Sequence, residues 1–230
     1  MITQSKGKIF LADERGATEN ENFRILNTFK FDSYQQVHKE PFGNLYALNE
    51  NTLGGGISLK WTVECAAIII LIPIVGAIVI NNDKNELLDA GMAKLLCLPA
   101  GASYEVSNPY KEDLIKYVQL WIKAPANPSI ASCLVCFDLN SYQLTTLFND
   151  IHGDNRYKCS IIKLNGRQED VYYKKNSANG VFVFTIQGAL EVQYRLMHEG
   201  DGLALWDVDE IEFEALSNEA ILLVIEVALS

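Results

Sequence analysis

The chain has 230 residues, and 19 Lys and Arg against 29 Asp and Glu leave a formal charge of −10. It therefore lacks the basic footprint that counterion release from nucleic acid requires, which argues against direct DNA or RNA binding, and anionic membrane surfaces are disfavoured for the same reason. Hydrophobic residues make up 49% and charged residues 21%, a globular balance that fits one large domain or two of about 100 residues each. Five cysteines without framework spacing, and an opening Met1-Ile2-Thr3-Gln4 with no charged-then-apolar leader, predict a reduced, cytoplasmic protein.

Most of the chain runs in short stretches rich in Ile, Val, Leu, Phe and Tyr, each ended by Gly, Asn, Asp or Pro, which predicts an all-β protein. Gly54-Gly55-Gly56 is followed by no Lys-Ser/Thr and has no Rossmann spacing, so it reads as a backbone bend before a strand. Cys65 to Ile80 carries no charge, yet it falls short of the roughly 20 apolar residues a membrane helix needs. Its β-branched content, with Pro73 and Gly76, predicts two buried strands meeting at a corner. Pro125 to Tyr142 has room for a short helix starting near Asn127 and Pro128. Within it, Cys133-Leu134-Val135-Cys136 has CxxC spacing but no partner pair or His cluster, so two buried structural thiols are expected; Cys65, with no His nearby in sequence, is expected to be a third inert thiol. In Glu210-Ile211-Glu212-Phe213-Glu214-Ala215 the apolar residues would face a core and the carboxylates water.

An internal repeat emerges when the strands are aligned. Gly76-Ala77-Ile78-Val79-Ile80 resembles Gly188-Ala189-Leu190-Glu191-Val192, and Gly91 before Leu95-Leu96 answers Gly200 before Ala204-Leu205. This predicts two related β units, residues 1–123 and 154–230, joined by a linker over 124–153. Each is expected to be an antiparallel β-barrel of jelly-roll type.

Three blocks then resemble a known family: Ala12-Asp13-Glu14-Arg15-Gly16, Thr28-Phe29-Lys30-Phe31-Asp32-Ser33-Tyr34 and Phe42-Gly43-Asn44-Leu45-Tyr46-Ala47-Leu48-Asn49-Glu50. In order and spacing they resemble the amino-terminal signature of pirins and pirin-like bicupins, and Val118-Gln119-Leu120-Trp121-Ile122 resembles the strand closing their first cupin. The resemblance implies a bicupin fold. In metal-binding pirins a His-x-His pair, a third His and a Glu hold an iron-like ion in the first barrel. Counting back from Gly76 puts the His-x-His pair on Thr62 and Glu64, and the downstream ligands near Val106 and Asn108, or on Tyr104 in the general cupin frame. His38, His152 and His198 lie outside both motif regions and read as surface or loop residues. The expectation is a first barrel without a transition metal and a protein without a cofactor, since such ions ordinarily need imidazole or a two-His-plus-carboxylate set.

If alternation turns 62 and 64 inward on one strand and 104, 106 and 108 inward on another, Thr62, Glu64, Tyr104, Val106 and Asn108 line a cavity, or fill the barrel outright. Glu64 would there need a donor from Tyr104 or Asn108. Three functions remain open: a non-enzymatic bicupin that binds a small molecule or a regulatory protein partner, a metal-dependent dioxygenase like the flavonol-cleaving pirins, and a metal-independent enzyme using Glu64 and Tyr104 as acid and base. Pairing of sheet edges would allow a homodimer.

Overall fold

The computed structural model describes residues 5–31, 34–82, 84–125, 131–150 and 156–229. Described in chain order, the strands are β1 (Gly7–Phe10), β2 (Gly16–Glu19), β3 (Phe23–Asn27), β4 (Leu45–Leu53), β5 (Ser58–Thr62), β6 (Ala67–Val75) and β7 (Ile78–Asn81). They continue as β8 (Asn85–Leu88), β9 (Met92–Leu98), β10 (Ser103–Ser107), β11 (Ile115–Lys123), β12 (Ala131–Cys136), β13 (Thr145–Asn149) and β14 (Tyr157–Leu164). The last are β15 (Glu169–Tyr173), β16 (Asn179–Gln187), β17 (Ala189–Val192), β18 (Arg195–His198), β19 (Gly202–Leu205), β20 (Glu210–Ala215) and β21 (Ala220–Ala228). No helix among the described residues is long and apolar enough to cross a membrane.

The chain divides into two units. One comprises Gly16–Pro41 and Leu45–Phe137, the other Met1–Arg15, Phe42–Asn44 and Asp138–Ser230. This differs from division at 123 and 154: the boundary falls between Phe137 and Asp138, and both Phe42–Asn44 and the first residues fall in the C-terminal unit, which sequence spacing could not reveal. The first residues belong to the C-terminal unit, because β1 adds to its sheet through Gly7↔Leu205 to Phe10↔Gly202. In the expected linker, Asn127 and Pro128 lie outside the described residues. From Ala131 onward the chain forms not a helix but the edge strand β12, paired with β9, and then a single 3-10 turn at Leu139–Ser141. An unpaired β9 edge offers this segment backbone partners that no helix of such length would match.

In the N-terminal unit a seven-stranded sheet, ordered β12-β9-β6-β11-β4-β3-β2, faces a four-stranded one, ordered β5-β10-β7-β8. Ala47, Ile69, Leu96 and Tyr117 from the first meet Ile78, Ile80, Tyr104 and Val106 from the second in one core. In the C-terminal unit the sheets are β1-β19-β16-β21-β14-β13 and β15-β20-β17-β18, around Ile162, Val183, Leu203 and Val224 on one side and Tyr172, Leu190, Ile211 and Phe213 on the other. Both are sandwiches closed by period-two alternation. Ile211, Phe213 and Ala215 are buried while Glu210 and Glu212 are exposed and Glu214 is half-buried, as the sequence pattern required.

The repeat is structural. In each unit a nine-residue strand (β6, β16) ends at a glycine with positive φ, Gly76 at 69° and Gly188 at 79°, before a four-stranded-sheet hairpin (β7-β8, β17-β18) and a second such glycine, Gly91 or Gly200. The Cys65 to Ile80 run is therefore two strands, with the corner at Gly76. Pro73 lies inside β6, where the β6–β11 register slips between Lys116 and Tyr117, a site at which a missing N–H is tolerated. A Cβ at Gly76 would stand 2.9 Å from Ile115 Cγ2, and one at Gly188 would stand 2.5 Å from Ser217 Oγ, which is fixed by the Ala189 N–H it accepts. Gly76→Ala is expected to cost about 1–2 kcal/mol from the left-handed backbone alone, and Gly188→Ala more; urea titration of each variant checks the order.

Candidate functional site

The five positions singled out by spacing do not share one face. Strands β5 and β10 pair with Tyr104 opposite Trp61 and Val106 opposite Leu59, and directly opposed residues of an antiparallel pair project to the same side. Tyr104 and Val106 are buried in the core, so Leu59, Trp61 and, just beyond the strand, Val63 form the inward set. Thr62 and Glu64 are exposed on the other side, where Thr62 Oγ1 lies 2.9 Å from Ser103 Oγ. The inward orientation of 62 and 64 is thus corrected by one residue. The physical reason was present in the sequence: Leu59, Trp61 and Val63 are the apolar half of that alternation, and burying them outweighs any role for the polar half.

Each inward residue then has a structural occupation. Tyr104 accepts a hydrogen bond from Trp121 Nε1 at 3.1 Å, and burial holds its phenol well above the ordinary tyrosine range. It remains a neutral, packed side chain on the opposite face of the sheet from Glu64, so an acid–base pair of Glu64 and Tyr104 is not assembled. Val106 packs in the core with no exposed surface. Asn108 lines no cavity either; its Nδ2 donates to the carbonyls of Leu53 (3.0 Å), Gly54 (2.9 Å) and Asp113 (2.8 Å), and its Oδ1 accepts from Tyr110 N–H at 2.9 Å. It ties the Gly54-Gly55-Gly56 bend to the β10–β11 connection.

What the unit does contain is an aromatic cleft of about 730 Å³. Thr62 and Glu64 border it, but its character comes from Phe23, Phe31, Tyr46, Trp61 and Trp121, with Lys30, Lys60 and Cys65 among its polar walls. Phe31 meets Trp121 edge-on at 5.1 Å between centroids and Trp61 at 5.9 Å; Tyr46 meets Trp121 at 5.8 Å. Burial, and then the neighbouring Cys65 and Glu64, push the Tyr46 phenol far above its usual range, so it stays a neutral donor and acceptor. Cys65 Sγ lies 4.0 Å from that hydroxyl. Phe31, Tyr46 and Trp121 all stand in the sequence blocks that mark the family resemblance, but their convergence could not be read there because three separate segments supply them.

The cysteines and histidines also need placing. Cys65, Cys133 and Cys136 are exposed rather than buried, and only Cys97 and Cys159 are buried. Cys133 and Cys136 lie on the edge strand β12, where three-residue separation directs their side chains to opposite faces and breaks the CxxC geometry. His38 and His198 are exposed, the latter with Nδ1 3.8 Å from Asp201 Oδ2; His152 lies outside the described residues. Among the described residues no three His, Cys, Asp or Glu side chains come together in a way that could hold a metal ion. The inward residues of β5 and β10, with Val63 beside them, are aliphatic or aromatic, and this donor set does not fit the iron-like ion of metal-binding pirins.

Two measurements check these placements. Asn108→Ala, which strands three carbonyls, is expected to lose about 1–3 kcal/mol, whereas Glu64→Ala and Glu64→Gln should both lie within about 0.5 kcal/mol of the parent by equilibrium denaturation. Burial pushes the Cys159 thiol up to about 12 and raises that of Cys97. Titration of the folded protein with a disulfide reagent near pH 8 should therefore count three fast thiols, Cys65, Cys133 and Cys136, and all five after unfolding.

Known proteins carry the same architecture. Residues 151–227 match the quercetinase C-terminal cupin domain model. No curated protein sequence matches the chain. Among solved structures, YhhW from Escherichia coli superposes with a TM-score of 0.87 at 17% identity, covering 98% of this chain and 99% of its own. The same bacterial pirin in complex with nickel(II) gives 0.86 at 17% identity, over 98% of this chain and 100% of its own. A quercetin 2,3-dioxygenase from Acinetobacter baumannii gives 0.72 at 13% identity, over 98% of this chain and 79% of its own. Over its whole length the chain has the two-unit fold of these bacterial pirin structures, and its residues 151–227 match the quercetinase C-terminal cupin family.

Proposed function

We propose that this bicupin works without a metal and binds a planar aromatic small molecule in the cleft of its N-terminal unit. The observation that carries the reading is the cleft itself, a concave surface where Phe31, Trp61 and Trp121 present ring faces and edges while Thr62, Glu64 and Lys60 supply polar contacts at the rim. Such a combination of stacking surface and few polar groups is what orients a small aromatic ligand. Quercetin, the flavonol in the name of the Acinetobacter baumannii neighbour, is the first ligand to test. Binding without turnover suits a regulatory role, in which a ligand changes how the protein meets a partner. Five free thiols accord with residence in a reducing compartment such as the cytoplasm.

Dioxygenase chemistry is the competing function, favoured by the name of the C-terminal family model and of that neighbour. The two separate cleanly. Of the three tryptophans, Trp61 and Trp121 line the cleft and Trp206 belongs to the other unit, so ligand titration of a Trp206→Phe variant reads the cleft by fluorescence. Saturable quenching is expected, weakened about tenfold by Trp61→Ala, the loss of roughly one aromatic stacking contact. Elemental analysis of the purified protein should give well under one equivalent of iron, manganese, nickel or zinc. One equivalent of such a metal in the N-terminal unit, with flavonol turnover that tracks it, would overturn the reading.

A further inference from the structure

The interior of the N-terminal unit holds a cluster of amides that the packing does not explain. Asn49, Asn51 and Gln119 are each 0% exposed, and none of their six side-chain nitrogen and oxygen atoms has a hydrogen-bond partner in the protein. Register brings them together: Gln119 stands opposite Asn49, and Asn49 opposite Asn27, whose Oδ1 is also unmatched. Asn51 stands opposite Tyr117. Ala47 and Leu53 on β4, and Tyr117 and Trp121 on β11, belong to the core between the sheets, so by alternation the amides point inward with them. Buried polar groups of this kind are nearly always matched, and each one left unmatched is costly. In the C-terminal unit the counterpart strands β14 and β21 present Ile162, Leu164, Leu222 and Val224 to the core, and the polar residues on the same faces, Ser160 and Glu226, have side-chain partners.

The amides adjoin the aromatic cleft. Ile25, part of the cleft wall, stands opposite Asn51 and two residues from Asn27; Trp121, also in the wall, is two residues from Gln119. Two residues along a strand span about 7 Å. The inward charge on β9, Lys94, is matched by Glu86 at 2.6 Å, so it does not offer the amides a free charge for an anionic group. A carboxamide offers one donor and one acceptor side by side, the pattern that reads an adjacent donor–acceptor edge on a heterocycle, as Asn and Gln do with adenine.

We infer that Asn49, Asn51 and Gln119 are the hydrogen-bonding end of the cleft and that its ligand is a neutral, planar heteroaromatic carrying a lactam or amidine edge. This rests on the cleft being a binding site for planar rings. The test is isothermal titration of the whole chain with 2-quinolinone, which has a lactam edge, and with quinoline, which has the same fused rings without the N–H and carbonyl. The wild-type protein should bind 2-quinolinone at least tenfold more tightly, and Asn51→Leu and Gln119→Leu should bring the two affinities together while leaving the melting temperature unchanged or raised. Equal affinity of the wild type for both compounds would refute the amide assignment and leave the aromatic cleft standing. Failure to bind either compound would remove both. If a leucine variant fails to fold, the wild-type ratio of the two affinities still decides.

Discussion

The register of β5 against β10 is the constraint on which the functional reading turns. Because side chains alternate along a strand, one residue of slip exchanges everything that faces the barrel for everything that faces solvent. Here Leu59, Trp61 and Val63 are inside, with Tyr104 and Val106 opposite them. Burial of each such apolar side chain is worth roughly 1.5–3 kcal/mol, and nothing that Thr62 or Glu64 could gain from an inward position competes with that. An apolar set on these strands fixes the sheet pairing, and of its inward residues only Tyr104 carries an oxygen, which accepts from the Trp121 indole N–H.

The two units share one plan and differ in what they enclose. In the C-terminal unit the only inward carboxylate on β21, Glu226, is fully matched: Tyr172 OH donates to it at 2.6 Å, Lys175 and Asn176 N–H each at 3.0 Å, and Asn179 Nδ2 at 2.8 Å. It anchors the 174–179 turn; the interior around it is mainly aliphatic and aromatic packing, with Ser160 Oγ 3.5 Å from Thr146 Oγ1 and the buried Thr185 Oγ1 without a partner in the protein. The N-terminal unit instead combines a wide aromatic cleft with inward amides that have no protein partner. Among the described residues the unmatched carboxamides Asn49, Asn51 and Gln119 belong to the N-terminal unit, whereas in the C-terminal unit it is the Thr185 hydroxyl that lacks a partner.

Local rules made the β class, the two-unit repeat and the solvated acidic strand legible in the sequence. A glycine at positive φ after a long apolar strand leaves the same mark twice, at Gly76 and Gly188, and alternation through Glu210 to Ala215 has one solution. The exchange of the amino-terminal residues into the other unit was not legible, because β1 pairs with a strand nearly two hundred residues away and its sequence carries no sign of its partner. The site was half legible. Thr62 and Glu64 do border the cleft, but motif spacing transferred from a metal-binding relative carried with it a strand orientation that only His side chains with an ion would justify.

The cleft retains polar chemistry although its aromatic rings dominate. Tyr46 is half-buried and remains a phenol rather than a phenolate, since burial, and then the neighbouring Cys65 and Glu64, oppose its ionisation. Tyr104 is held neutral in the same manner and spends its oxygen on the Trp121 indole N–H. With both phenols locked in their protonated forms, neither can serve as a base at neutral pH. What they can do is fix the orientation of Trp121 and offer a hydroxyl at the cleft wall. A wall of packed rings with phenol hydroxyls behind it presents shape and hydrogen-bonding pattern together.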